Sequence, residues 1–159
     1  MSIQDYLMIV SGGQTGADRA ALDWAIDHNV LHGGWCPKRR KAEDGLIPDR
    51  YALRETPNDD SAQRTDWNVR DSDGTVIFSM QPSLSGGAKQ TADLAHKHGK
   101  PMVHLFQSDT VSSLEQVLIQ FLSENQIRTL NVAGPRASEE PGIDQFVRDV
   151  FDHAFVNGN

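Results

Sequence analysis

Tyr6-Leu7-Met8-Ile9-Val10-Ser11-Gly12-Gly13-Gln14-Thr15-Gly16-Ala17-Asp18 changes rhythm halfway along, and that change decides the fold. The apolar run from Tyr6 to Val10, closed by Ser11-Gly12-Gly13, reads as a short buried strand. From Gly16 the apolar spacing widens to that of a helix, with Ala17, Ala20, Ala21, Trp24, Ala25 and His28 on one face. Thr15 is the expected N-cap. Asp18 is the expected first-turn carboxylate, serving the helix terminus. Strand, tight turn and helix together are the repeating unit of an α/β sheet.

The same rhythm returns downstream. Val30 to Trp35 is a candidate second strand. Between Cys36 and Asp73 the chain is broken by Pro37, Gly45, Pro48 and Pro57, which predicts short helices and functional loops. Thr75–Met80 reads as a strand, Ser85-Gly86-Gly87 as a turn and Ala88–His98 as a helix. Pro101–Phe106 is a further strand, followed by a helix from about Ser112 to Asn125. Thr129–Ala133, the turn Gly134-Pro135-Arg136 and a helix over Gly142–Phe155 complete the pattern. The predicted fold is α/β: a Rossmann-like doubly wound sheet of about five mainly parallel strands, with helices on both faces. The expected strand order is 3-2-1-4-5 or 2-1-3-4-5, in one domain spanning residues 1–159.

Bulk properties narrow the partners. With 159 residues and a net charge of −7, the chain argues against a nucleic-acid surface or an anionic membrane face, despite the basic run Lys38-Arg39-Arg40-Lys41. Cys36 is the sole cysteine, so no intrachain disulfide forms, and it reads as a small buried hydrophobe. Met1 to Asp5 are polar and lead straight into a strand, and no run of 18 apolar residues occurs. A cytoplasmic protein is expected.

Ligands of open α/β sheets sit beyond the carboxyl ends of the strands. Three strands here run into small-residue loops: Ser11-Gly12-Gly13-Gln14-Thr15-Gly16, Leu84-Ser85-Gly86-Gly87 and Ala133-Gly134-Pro135-Arg136. Glycine lets backbone approach a ligand, and the helix that follows presents free N–H groups and a positive dipole end. A phosphate-bearing small molecule is therefore the expected ligand. The first turn is not a nucleoside-triphosphate loop, because no Gly-Lys-Ser/Thr follows. Ser11 stands where a dinucleotide fingerprint begins with glycine, and no acidic residue follows a second strand near Cys36, so NAD is not expected.

Arg40, Arg64 and Arg136 are expected to point at the glycine turns and pair with the phosphate, with Asn68 close to Arg64 in sequence. Lys38 and Lys41 belong to the solvated part of their basic run. The histidines lack metal-ligand spacing, and Asp71-Ser72-Asp73-Gly74 lacks the ligand pattern of a calcium loop, so no structural metal is expected.

Gly12-Gly13-Gln14-Thr15-Gly16-Ala17-Asp18, Gly34-Trp35-Cys36-Pro37, Arg40-Lys41-Ala42-Glu43-Asp44-Gly45 and Ile47-Pro48 resemble the family called "putative molybdenum carrier". That family is also described as the circularly permuted YpsA branch of the Rossmann-like SLOG superfamily. The resemblance continues through Tyr51–Thr56, Arg64–Val69, Asp71–Thr75 and Leu130–Arg136, and so covers nearly the whole chain. Two positions depart from the family pattern. Arg39 replaces a glycine, and Ala88 replaces the threonine of a Gly-Gly-Thr loop, although Thr91 still matches.

The family name implies molybdenum cofactor, a pterin that carries a phosphate and a dithiolene-held metal. The superfamily resemblance implies a nucleotide or nucleotide-derived ligand, and it suggests a homo-oligomer. The implied ligand-binding positions are Gly12, Gly13, Gln14, Thr15, Gly16, Arg40, Arg64, Asn68, Ser85, Gly86, Gly87, Thr91, Gly134 and Arg136. Some superfamily relatives are phosphoribohydrolases with a Glu just beyond the second glycine loop. This chain has Lys89, Gln90 and Thr91 there, so that acid does not carry over. If a reaction is catalysed, Glu43 and Asp44 are the acids with access, since Asp71 and Asp73 are expected to serve their turn. A binding or carrier protein is the leading reading, and a hydrolase of nucleotide-like substrates is the alternative.

Overall fold

The computed structural model describes residues 2–108 and 113–156. Ser112, the expected start of one helix, lies outside them. Five strands form the main sheet: β1 (Met8–Val10), β2 (Leu31–Gly33), β3 (Gly74–Ser79), β4 (Met102–Phe106) and β5 (Thr129–Ala133). The helices are α1 (Ala17–Asp27), α2 (Ser61–Arg70), α3 (Gly86–Lys97), α4 (Leu114–Glu124) and α5 (Ile143–Phe151). Every pairing in the main sheet is parallel, as a doubly wound fold requires.

The strand order is β2-β1-β5-β3-β4, which is neither of the expected orders. The last strand pairs with β1 on one side and β3 on the other. Moving β5 to the head of the chain converts this order into 3-2-1-4-5, so the chain is a circular permutation of a Rossmann sheet. Strand pairing depends on neighbours in space and not on which covalent link joins them, which is why the permuted order packs equally well. The two chain ends accordingly lie together, with the Gln4 side chain donating to the Phe155 carbonyl.

Alternation along β3, which is buried at every position, divides the two faces. Val76 and Phe78 enter the core shared with α1, α4 and α5, where the Phe78 ring stands edge-on to Phe146 and Phe151 at 5.8 and 5.6 Å. Thr75, Ile77 and Ser79 face the opposite way, and α2 and α3 pack together. Burial of this kind contributes on the order of 1.5–3 kcal/mol for each large apolar side chain.

The candidate strand Val30–Trp35 is split. Gly34 has φ +127°, and a Cβ there would sit 2.4 Å from the Ser11 carbonyl oxygen, so the chain turns out of the main sheet at that residue. Trp35–Cys36 instead pairs with Arg54–Glu55, and Lys41–Ala42 forms a hairpin with Gly45–Leu46. A second small core of Leu22, Cys36, Ile47 and Tyr51 fixes this excursion against α1. Cys36 is fully buried there, as expected of a lone cysteine acting as a small hydrophobe.

Arg39 has φ +70°, a left-handed conformation that L side chains adopt at a cost and glycine adopts freely. The departure from the family's glycine therefore falls where the backbone most needs one. Its N–H still donates to Glu55 Oε1 at 2.5 Å, a bond that any residue preserves. Arg39→Gly is expected to raise stability by about 0.5–1 kcal/mol, read as a higher urea midpoint at unchanged slope.

Candidate functional site

The glycine loops leave the carboxyl ends of β1, β3 and β5, which are the three adjacent central strands. Their convergence forms a cleft with two parts. An inner polar pocket of about 60 Å³ is lined by Gly12, Asp18, Arg64, Thr65, Asn68, Gly87, Thr91 and Asn131 through Gly134. An outer cleft of about 360 Å³ shares Gly87 and Gly134 and is lined further by Ser79, Ser83–Ser85, Ala88, Pro135, Glu139 and Glu140. Ala88 thus sits where the family's threonine would add a hydroxyl to the outer cleft.

Arg64 is the basic group of the inner pocket. It projects from α2 across the first turn and donates to the Gly12 carbonyl at 3.0 Å. A Cβ at Gly12 would lie 2.4 Å from Arg64 Nη1, so glycine is required for the guanidinium to lie there. On the far wall α3 begins at Gly86, and Ser85 lends it no side-chain cap. Apart from their chain neighbours and the helix's own backbone, no atom of the described residues lies within 4 Å of where a Cβ would stand at Gly86 or Gly87. The space beside this helix start is open, and unpaired N–H groups at a helix start favour anions. Thr91 lines the pocket while its hydroxyl donates to Gly87 O at 2.9 Å.

Other expected residues are held elsewhere. Arg40 does not point at the glycine turns. Its guanidinium donates to the carbonyls of Ile47, Pro48 and Tyr51 at 3.0, 2.7 and 2.9 Å and reaches Leu53 O at 3.4 Å, clamping the 47–53 loop. Arg136 stays at the rim, half-exposed, with Nε 3.2 Å from Glu139 and 3.9 Å from Glu43. Asn68 lines the pocket, yet its amide is spent on the Trp35 backbone, accepting from N at 2.8 Å and donating to O at 2.9 Å. Gln14 Oε1 accepts the N–H groups of Thr15 and Glu43. Thr15 is not the N-cap of α1: that position belongs to Gly16, and the Thr15 hydroxyl donates to Glu43.

The two candidate acids prove to be ties between loops. Glu43 accepts from Thr15 and from the Ser138 hydroxyl at 2.6 Å, bonds that hold its carboxyl below the usual range. Asp44 makes a two-pronged pair with Arg19, at 2.6 and 3.1 Å, and is likewise held low. Neither is poised to exchange a proton near neutrality. Asp71 and Asp73 do not serve their own turn and instead tie distant segments: Asp71 accepts from Trp35 Nε1, and Asp73 accepts the N–H groups of Arg128 and Thr129.

Asp18 is the acid that sequence reasoning missed. It accepts a long 3.4 Å bond from the Gln14 N–H, but its carboxylate is buried in the inner pocket, 3.7 Å from Arg64. Burial pushes its pKa up to about 6, against the opposing pull of Arg64. Its helical position gave no sign of this, because first-turn carboxylates ordinarily face water. Asn131 was also missed; it is buried on β5 and donates to Thr75 Oγ1 at 3.2 Å. Among the described residues no group of three or more His, Cys, Asp or Glu side chains is placed to hold a metal ion.

A family model described as the circularly permutated YpsA SLOG family matches residues 9–155. This chain belongs to that family. A crystal structure from Syntrophus aciditrophicus SB, titled "Putative molybdenum carrier protein", is 44% identical with a TM-score of 0.88, over 95% of this chain and 96% of that one. No curated protein matches. The displaced position of β5 is the structural counterpart of the permutation in the family's description.

Asp18 titrates ordinarily at 3.8 and here at about 6, so above pH 6 the fold bears the cost of a buried ionised carboxylate, about 3 kcal/mol. That cost fades as pH falls from 6 toward 3.8. Asp18→Asn is therefore expected to be more stable than wild type by about 2–3 kcal/mol near pH 8, with the gain vanishing near pH 4, as urea unfolding at both pH values would show. Arg40→Ala leaves three part-buried carbonyls without this donor and is expected to lower stability by about 1–2 kcal/mol, measured in the same way.

Proposed function

We propose that the protein binds and carries a phosphate-bearing small molecule, with molybdenum cofactor as the ligand and a nucleotide or nucleotide-derived compound as the nearest alternative. One observation carries the reading: the Arg64 guanidinium lies in a pocket between the first glycine turn and the open start of α3. A cation facing free helix N–H groups is the chemistry of a phosphate subsite. The outer cleft, which shares Gly87 and Gly134 with the inner pocket, is large enough for a ring system of pterin or nucleobase size. Gly12, Arg64, Gly86, Gly87, Thr91 and Gly134 are the proposed contacts of the phosphate end. Gly13, Gln14, Thr15, Gly16 and Arg136 line neither cavity and are proposed only to support the loops around them. The molybdenum assignment draws on the name of the similar crystal structure, and the fit of the phosphate end supports it equally for a nucleotide.

The roles of Glu43 and Asp44 as structural ties remove the two acids on which the hydrolase alternative rested, and any such chemistry would fall to Asp18, the one elevated carboxyl lining the pocket. Mass spectrometry of ligand released from protein purified under anaerobic conditions is expected to show a phosphate-bearing pterin or nucleotide. Arg64→Ala is expected to weaken its binding by about 1.5–3 kcal/mol, and Lys41→Ala to leave binding within about 0.5 kcal/mol. Release of a compound without phosphate, or equal binding by Arg64→Ala, would reject the reading.

A further inference from the structure

The inner pocket sets a carboxylate where the proposed ligand brings negative charge. Asp18 and Arg64 lie 3.7 Å apart with side chains only 10% and 13% exposed, so bulk water screens neither. Thr65, Thr91 and Asn131 complete the polar wall, and Asp18 is the one acid among the pocket's lining residues. The charged groups that face Asp18 are Arg64 from α2 and Arg19 from its own helix. Arg19 is already committed to Asp44 and to the Gly13 carbonyl. Arg64 gives Nη1 to the Gly12 carbonyl and Nε to Thr65 Oγ1, which leaves Nη2 to meet an anion, and Asp18 is its present counter-charge.

An anion seated between Arg64 and the start of α3 meets the ionised Asp18 as a like charge in a poorly hydrated site. A proton on Asp18 removes that repulsion and turns the carboxyl into an O–H donor toward the anion. We propose that Asp18 and Arg64 form a proton-coupled oxyanion subsite, in which the tetrahedral phosphate end of the ligand binds together with one proton held on Asp18. The inference rests on the reading of the cleft as a phosphate site and adds the control of that site. On binding, one proton moves from solvent to the Asp18 carboxylate, and on release it returns. Burial already holds this carboxyl at about 6, so the proton is within reach near neutrality. Glu43 and Asp44, held low by their hydrogen bonds, cannot supply it. Binding tightens as pH falls toward 6, and a rise in pH favours release.

Sulfate is the probe, because it is tetrahedral and carries no titrating proton between pH 5 and 9. Its binding is followed by calorimetry in two buffers of different ionisation heat, with wild type, Asp18→Asn, Arg64→Ala and His104→Gln. His104 is the control for a competing titration, since it bonds Ser79 at the outer cleft and burial lowers its pKa. Wild type is expected to take up one proton per sulfate and to lose affinity about tenfold per pH unit above pH 7. His104→Gln keeps that slope. Asp18→Asn binds sulfate with affinity that is flat across the range and takes up no proton. Flat binding by wild type that is still lost in Arg64→Ala overturns the proton coupling while leaving the phosphate site standing. Retention of the slope in Asp18→Asn overturns it as well. Sulfate binding by neither wild type nor Asp18→Asn at pH 6 overturns the phosphate site and this inference together.

Discussion

The insertion of β5 between β1 and β3 is the constraint on which the rest of the molecule depends. It sets three glycine loops on adjacent central strands, so their backbones and the helix starts beyond them meet in one cleft. The same insertion brings Gly134 against the first turn of α1, where a Cβ would stand 2.6 Å from Ala17 Cβ. Close approach at the sheet edge and a shared ligand space are two results of one topological fact. The chain reaches this arrangement by permutation, with β5 filling from the C-terminal end the place that a first strand takes in the unpermuted order.

Around that cleft, charge is organised in two tiers. The outer tier is mechanical: Glu43, Asp44, Gln14 and Arg19 tie the 41–46 hairpin to the first glycine turn, and Arg40 clamps the loop behind it. These groups are satisfied by one another and hold the rim in shape. The inner tier is poised, because Asp18 and Arg64 face each other in a small pocket at a separation longer than a good hydrogen bond. A carboxylate kept buried at the expense of stability is a common mark of a functional site, since packing alone would favour a neutral group there.

Much of the fold was legible because it rests on local rhythm. Apolar runs ended by glycine and helical spacing from Ala17 to His28 are readable without knowing what lies alongside. The strand order was not legible, because parallel pairing leaves no mark in the sequence of either partner. The break at Gly34 was hidden for a similar reason: it arises from the Ser11 carbonyl, a neighbour distant in sequence. Of the three arginines expected at the glycine turns, only Arg64 lies in the pocket, since a basic residue in a loop reaches carbonyls and phosphates equally well. Asp18 was assigned to its helix terminus because burial is a property of the assembled layers and not of the turn that carries it.

The sequence by itself determined the parallel α/β class, the three glycine loops and their placement at strand ends, because periodicity and glycine chemistry act over a few residues. It also marked Arg39 as standing where the family pattern carries glycine, while the left-handed backbone there is a finding of the structure. Only the tertiary structure decided that β5 lies at the centre of the sheet, that Glu43 and Asp44 are ties, and that Asp18 and Arg64 share the pocket. The physical reason is range. Dihedral preference and hydrophobic period are local, whereas burial, like-charge repulsion and hydrogen-bond partnership depend on residues that meet only after the chain has folded.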